Sequence, residues 1–103
     1  MDVSGFLDTG EDLFDKSGTK VGVIQDVVFE PLTLEPEWYD VKVGMLGGHR
    51  LVPADCVIVD ADSESSQHGT VPFDKKVVKT APGAHTPPLE DEAKSLLEHY
   101  RAA

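Results

Sequence analysis

The motif Asp8-Thr9-Gly10 comes closest in this sequence to a known piece of catalytic chemistry. Aspartic proteases carry a catalytic carboxylate in an Asp-Thr-Gly segment, where two carboxylates held side by side share one proton because both cannot ionise. This chemistry needs the Asp on a rigid loop that follows an ordered strand. Only seven residues precede Asp8, however, and they give little sign of a strand pair. The sequence therefore favours an ordinary acidic residue, and an aspartic protease stays a remote alternative.

A calcium loop is a second possibility, because Asp60, Asp62 and Glu64 occupy alternate positions. A calcium loop also requires Gly at its sixth position and Glu at its twelfth. This chain has Ser65 and Val71 at those positions. The segment is therefore predicted to be a solvated acidic loop.

Other metal-binding and catalytic patterns are not found in the sequence. The histidines are too far apart for a zinc pattern, Cys56 has no second cysteine, and no nucleophile or phosphate-binding motif is present. The histidines are His49, His68, His85 and His99. We therefore expect no catalytic residue, no metal and no cofactor. A lone cysteine cannot form a disulfide within the chain, so a reducing compartment is the simplest location.

The composition indicates one small acidic domain. The 103 residues include 19 acidic and nine basic side chains, for a formal net charge of -10. This charge opposes direct contact with nucleic acid and with anionic membranes, because both depend on clustered Lys and Arg. The N-terminus shows no basic leader, and no apolar run approaches the roughly 18 residues that would span a bilayer. We expect a soluble cytoplasmic protein whose partner, if any, is a basic protein.

Short strands separated by turns account for most of the chain. Residues 20–30 are rich in β-branched and aromatic side chains, and residues 37–43 alternate, which places Tyr39, Val41 and Val43 on one face. Further strands are predicted at 51–53, 56–60 and 70–73, and a hairpin connection that contains Gly47 and Gly48 is predicted at 44–50. Five or six such strands indicate a mainly β fold, a small barrel that is closed or partly open, since closure removes exposed sheet edges.

The C-terminal part of the chain predicts helix. Residues 74–88 suggest a brief helical turn and an extended crossing, and residues 86–101 suggest a helix with Thr86 as its N-cap and Pro87 in its first turn. Its apolar stripe consists of Leu89, Ala93, Leu96, Leu97 and Tyr100. We expect this helix to pack on the barrel.

The predicted domain organisation has three parts. Residues 1–10 form a flexible N-terminal segment, because they are mostly small, polar and acidic. Residues 11–81 form the barrel. Residues 82–103 form the crossing and the helix, which belong to the same domain.

The segment 18–55 resembles a PRC-barrel domain, the small barrel of the photosynthetic reaction centre H subunit and of ribosome maturation factors. The matching features are Gly18 with Val21-Gly22, the strand end DVVFEP, the segment EWYDVKVG and the strand end RLVPAD. In this pattern Gly18 and Gly22 suit a tight turn and a close strand approach, and Pro53 ends a strand that can spare a donor. Residues 71–82 and 98–100 resemble free-standing bacterial members, many of them actinobacterial.

The resemblance implies a scaffold that binds proteins, often as a homo-oligomer, without chemistry of its own. The sequence shows neither the membrane helix of the reaction-centre subunit nor the second domain of the maturation factor, so neither function transfers. We expect a non-enzymatic adaptor that forms a homodimer or a higher homo-oligomer. The alternative is an accessory factor in RNA processing or ribosome maturation that acts through a basic protein.

A tryptophan that is predicted to point out of the barrel is the candidate binding residue. If Tyr39 points into the barrel, Trp38 points out of it, beside Asp40 and Lys42. Either the C-terminal segment covers Trp38, or Trp38 anchors a protein interface, since Trp is common at binding hot spots. The predicted interface consists of Trp38, Met45, Leu46 and Arg50.

Overall fold

A computed structural model of the chain describes residues 5–44, 48–62 and 66–103. The strands in these ranges are β1 (Asp12–Phe14), β2 (Lys20–Phe29), β3 (Pro36–Lys42), β4 (His49–Pro53), β5 (Ile58–Ala61) and β6 (Gln67–Thr70). The helices are a 3₁₀-helix (Ala54–Cys56), α1 (Lys75–Lys79) and α2 (Glu90–Arg101). The fold is therefore mainly β with a C-terminal helix, as the sequence predicts.

The strands form one sheet in the order β4-β3-β2-β1-β6-β5. Strands β1 to β4 are an antiparallel meander, β5 and β6 are an antiparallel hairpin, and the two units join through the parallel pair β1–β6. No pairing between β4 and β5 closes the sheet within the described ranges, but these two edge strands are consecutive in the chain and the 3₁₀-helix connects them. The prediction of a closed or partly open barrel is confirmed in its partly open form.

Strand β3 is buried on both faces. Tyr39, Val41 and Val43 are buried as the alternation predicts, and Trp38 and Asp40 on the opposite face are buried as well. The two-sided cover makes β3 part of the core rather than of the surface.

Helix α2 packs beside the edge strand β4. Its buried side chains are Leu96 and Tyr100, and the Tyr100 hydroxyl donates a hydrogen bond of 2.7 Å to the Leu51 carbonyl of β4. Burial raises the pKa of this hydroxyl, so it remains a donor. Leu89 and Leu97 of the predicted stripe are exposed instead. No helix in the described part of the chain is long and apolar enough to cross a membrane.

The start of α2 differs from the prediction. The helix begins at Glu90 rather than near Thr86, and the Thr86–Pro87 peptide bond is cis. The Glu92 carboxylate explains the later start, because it accepts the N–H of Leu89 at 2.9 Å and also receives the His85 N–H. These hydrogen bonds lower the pKa of Glu92.

Two residues of the segment 1–10, which the sequence predicts to be flexible, contribute to the core: Leu7 belongs to it and Phe6 packs against it. Leu7 is fully buried, and its N–H donates to the Tyr39 hydroxyl at 3.0 Å. The Gln67 side chain donates to the Phe6 carbonyl at 2.6 Å and to the Glu11 carboxylate at 2.9 Å. An apolar residue in a small polar segment therefore supplies part of the core.

The last strand also differs from the prediction, because β6 covers residues 67–70 rather than 70–73. Its inward positions are Gln67 and Gly69, which hydropathy does not recognise as core. A Cβ at Gly69 would collide with the side chains of Leu7 and Leu13, so glycine allows these leucines to pack against the strand.

A buried carboxylate links the β1–β2 turn to α1. One oxygen of Asp15 accepts the N–H groups of Ser17 and Thr19, each at 2.9 Å, and the other accepts the N–H of Lys75 at 3.0 Å. The Lys75 N–H is the largest cause of a lowered Asp15 pKa, and burial acts in the opposite direction. Asp15 is therefore a charged structural residue.

Candidate protein-interaction surface

The Asp8-Thr9-Gly10 motif forms a tight turn that leads into β1. The Glu11 N–H donates to the Asp8 carbonyl at 3.2 Å, and Gly10 has φ of 90°, which a side chain would disfavour. The Gly10 N–H donates to the Ile24 carbonyl at 2.8 Å. Asp8 itself is exposed. The motif thus has a structural explanation as a surface turn.

Each histidine is hydrogen-bonded to a nearby oxygen. The pairs are His49 with Asp40 at 2.7 Å, His68 with Asp62 at 2.6 Å, His85 with Glu92 at 3.0 Å, and His99 with the Val77 carbonyl at 2.7 Å. The four partners are on β3, just after β5, on α2 and on α1, so the histidines do not share a partner. Among the described residues, no group of three or more His, Cys, Asp or Glu side chains could hold a metal ion.

Cys56 lies at the end of the 3₁₀-helix and is half-buried. Burial, with a smaller contribution from Asp55, raises the pKa of its thiol. The thiolate is the reactive form of cysteine, so this environment makes Cys56 a poor nucleophile near neutral pH.

Trp38 lies on the face of β3 opposite Tyr39, and this face is covered rather than open to solvent. Trp38 is only 4% exposed, and its register partner Pro53 is also buried. Leu51 lies on the same face of β4, two residues before Pro53. Its backbone carbonyl accepts a hydrogen bond from the Tyr100 hydroxyl of α2. The C-terminal helix therefore lies beside the strand that flanks Trp38, and cover of the indole by this segment stays a prediction.

The other predicted interface residues give a mixed picture. Met45 and Leu46 lie outside the described residues. Arg50 is half-buried, and its Nη1 donates to the His49 carbonyl at 2.8 Å, whereas its Nε is buried and has no hydrogen-bond partner in the described part of the chain. An interface role for these three residues stays a prediction.

The two most exposed large apolar side chains in the described ranges lie in the connection between β2 and β3. We call residues 30–35 the leucine loop. Its Leu32 is 91% exposed and its Leu34 is 73% exposed, and Phe29 at the end of β2 is 40% exposed. The Phe29 ring packs edge-on against Phe6, at 5.2 Å between ring centroids. The sequence interpretation does not recognise this connection as a surface feature.

The leucine loop has a defined conformation. The Glu30 carboxylate accepts the N–H groups of Leu32 and Thr33 at 2.9 and 2.7 Å, and the Leu34 N–H donates to the Glu30 carbonyl at 2.8 Å. The two hydrogen bonds to the Glu30 carboxylate lower its pKa, and the bond from the Thr33 N–H has the larger effect. Leu34 has φ of 59°, an unfavourable conformation for leucine. The hydrogen bonds therefore keep the side chains of Leu32 and Leu34 exposed to water, although the backbone conformation of Leu34 is unfavourable.

Charge separates the two ends of the β2–β3 hairpin. Residues 21–41 contain no Lys or Arg, and their acidic residues are Asp26, Glu30, Glu35, Glu37 and Asp40. Lys20 begins β2 and Lys42 ends β3, so both lie at the end of the hairpin opposite the leucine loop. The hairpin is thus acidic and apolar at its loop and basic at its open end.

A groove of about 440 Å³ lies at the basic end of the hairpin. We call it the lysine groove; its lining residues are Lys20, Val21, Gly22, Val23, Lys42, Gly44 and Lys75. The Lys20 ammonium group lies 3.1 Å from the Asp12 carboxylate. The groove combines an apolar wall with three of the nine basic residues of an acidic chain.

Comparison with protein families identifies the domain. The family model of the PRC-barrel domain matches residues 9–78, more than half of the chain. This chain belongs to the PRC-barrel domain family. No curated protein matches it. The resemblance to free-standing bacterial members is not tested by this match and stays a prediction.

Four of the five residues predicted to be structural lie in the described part of the chain. Gly18 has φ of 82° in the β1–β2 turn, and a Cβ at Gly22 would overlap the carbonyl oxygen of Lys42. Pro53 ends β4, an edge strand whose outer donors have no sheet partner within the described ranges. Gly48 has φ of 68° beside β4, and Gly47 lies outside the described residues. The leucine loop and the lysine groove both lie within the matched PRC-barrel region.

Proposed function

We propose that this PRC-barrel protein is a non-enzymatic, cytoplasmic adaptor that binds proteins and associates with itself. The observation that carries the proposal is the leucine loop, which exposes Leu32 and Leu34 in a conformation fixed by hydrogen bonds. Single exposed apolar residues are common on protein surfaces. Two on one ordered loop, beside the partly exposed Phe29, form a patch whose burial against another protein is favourable.

Other observations support the same function. The surface turn of Asp8 supports a non-enzymatic role, and the raised pKa of Cys56 agrees with it. The net charge of -10 favours partners with basic surfaces. The single cysteine supports a reducing, cytoplasmic location.

Chemical cross-linking in a cell lysate, followed by mass spectrometry, tests the proposal. We expect cross-links between copies or to a specific second protein, and we expect them to decrease in the double variant Leu32→Ser/Leu34→Asn. Both side chains are largely exposed, and Asn tolerates the positive φ at position 34, so the variant keeps the fold.

A matched control removes two other exposed apolar residues. The double variant Ile58→Ser/Leu89→Asn changes side chains that are 62% and 58% exposed and lie outside the loop. It is expected to keep the cross-links. Absence of any specific cross-link in the wild-type protein would reject the adaptor. Enrichment of ribosomal proteins from immature subunits would favour the ribosome-maturation alternative.

A further inference from the structure

We infer that the leucine loop of one copy binds in the lysine groove of a second copy, so that the protein associates head to tail. This inference deepens the self-association in the proposed function and rests on it. It names two different surfaces of one chain as the two sides of a single contact.

The two surfaces are complementary in polarity. The loop offers the side chains of Leu32 and Leu34, and the groove offers an apolar wall that includes the half-buried Val23. Burial of the leucines against this wall would remove from water the two large apolar side chains with the highest exposed fractions in the described ranges.

The two surfaces are also complementary in charge. Glu35 and Glu37 follow the leucines and are exposed, whereas Lys42 and Lys75 line the groove. Opposite charges around an apolar contact fix its orientation and disfavour other arrangements. Lys20 already pairs with Asp12, so Lys42 and Lys75 are the cations that would meet the incoming carboxylates.

The geometry excludes a contact within one copy. The pair Val23–Lys42 lies at the groove end of the hairpin and the pair Phe29–Pro36 at the loop end. Six residues of β-strand separate these pairs, about 20 Å of a rigid paired hairpin. The loop of a copy therefore cannot reach its own groove, and each copy keeps one loop and one groove for its neighbours. Such a contact between unlike surfaces produces rings or open chains.

A symmetric contact between two loops is less favourable. It would bring Glu35 and Glu37 of both copies together, and residues 21–41 supply no cation to separate them. The head-to-tail contact is also small, because it consists of one loop in one groove. Interfaces below about 1,200 Å² are usually weak, so we expect association that increases with protein concentration.

Two blocked variants test the arrangement. The loop variant is Leu32→Ser/Leu34→Asn, and the groove variant is Lys42→Glu/Lys75→Glu. Sedimentation velocity over a concentration series is expected to show a rising mass for the wild type and a monomer for each variant alone. An equimolar mixture is expected to form a dimer and nothing larger, because the intact loop of the groove variant fits the intact groove of the loop variant.

The controls match the size and charge of these changes. Ile58→Ser/Leu89→Asn removes two exposed apolar side chains elsewhere, and Lys94→Glu/Arg101→Glu makes the same change in net charge on α2. Both controls are expected to associate like the wild type. Circular dichroism establishes that every variant is folded.

Three results would overturn the inference. They are a wild type that stays monomeric at the highest concentration, a mixture of the two variants that stays monomeric, and association that survives in either variant alone. A foreign protein cross-linked to the loop of a monomeric wild type would preserve the adaptor function and reject the head-to-tail contact. The two proposals can therefore fail separately.

Discussion

The hydroxyl oxygen of Tyr39 accepts the backbone N–H of Leu7 at 3.0 Å, and both residues are buried. Burial is the main cause of a raised pKa at Tyr39, so the hydroxyl stays neutral over the physiological range. This bond joins the segment just before Asp8 to the middle of β3. Leu7, which immediately precedes the Asp-Thr-Gly turn, is therefore part of the core.

Tyr39→Phe is expected to destabilise the protein by about 1–3 kcal/mol, because a buried N–H loses its acceptor. Urea unfolding measures the change, and hydrogen exchange at the Leu7 amide is expected to become faster. Phe14→Leu, at a half-buried ring of β1, is the comparison for a change of aromatic packing without loss of this acceptor. An unchanged exchange rate at Leu7 in Tyr39→Phe would show that the bond does not hold the segment.

Asp15→Asn is expected to destabilise the protein most near neutral pH. An amide has one acceptor oxygen, so it cannot receive the N–H groups of Ser17 and Thr19 on one side and that of Lys75 on the other. Because the folded-state pKa of Asp15 is lowered, its stabilisation is complete above the usual Asp pKa of about 3.9 and is lost as the pH falls through the folded value.

Thermal unfolding of Asp15→Asn and wild type between pH 7 and pH 2 tests this expectation. The difference in stability should narrow in acid. Asp12→Asn is the control, since Asp12 forms an exposed pair with Lys20 that contributes little. A difference between Asp15→Asn and wild type that does not change with pH would argue against a charged Asp15.

Gly22→Ala is expected to cost about 3 kcal/mol or more, because its Cβ would overlap the Lys42 carbonyl and force β2 and β3 apart. Gly83→Ala is the matched control, with no atom within 4 Å of the new Cβ, and should change stability by less than about 1 kcal/mol. Urea unfolding compares them. Equal stabilities for the two variants would mean that the strands do not approach this closely.

Gly10→Ala is expected to destabilise the protein by about 1–2 kcal/mol, because position 10 has φ of 90°. Asp8→Asn, at an exposed residue of the same turn, should stay within about 0.5 kcal/mol of wild type. Denaturant unfolding measures both. Hydrolysis of a peptide at acidic pH that disappears in Asp8→Asn would revive the aspartic protease.

Periodicity predicts one face of this fold well. The alternation over 37–43 identifies Tyr39, Val41 and Val43 as core, because side chains of a strand point to opposite faces in turn. It does not reveal what covers the opposite face. Trp38 is buried there, on the sheet face that also carries Leu51, the residue bonded to Tyr100. Burial of this face depends on residues that are distant in sequence, so the alternation over residues 37–43 does not reveal it.

The candidate surface is harder to predict than the core. Leu32 and Leu34 lie between prolines in a connection, where a sequence pattern gives no measure of exposure. The inward positions of β6 are equally hard to predict from the sequence. Gln67 is kept in the core by hydrogen bonds, and position 69 is glycine because a Cβ there would collide with neighbouring side chains. In both places tertiary contacts, rather than local preference, decide the environment of the residue.

The parallel pairing of β1 with β6 has a consequence for the rate at which the chain folds. Among the described strands, every other pair joins neighbours in sequence, but this one brings Leu13 to Gly69. The meander and the hairpin can each form from nearby residues, whereas their union must overcome the entropy of closing a long loop. Encounter of these two preformed units should therefore be the slow kinetic step of folding.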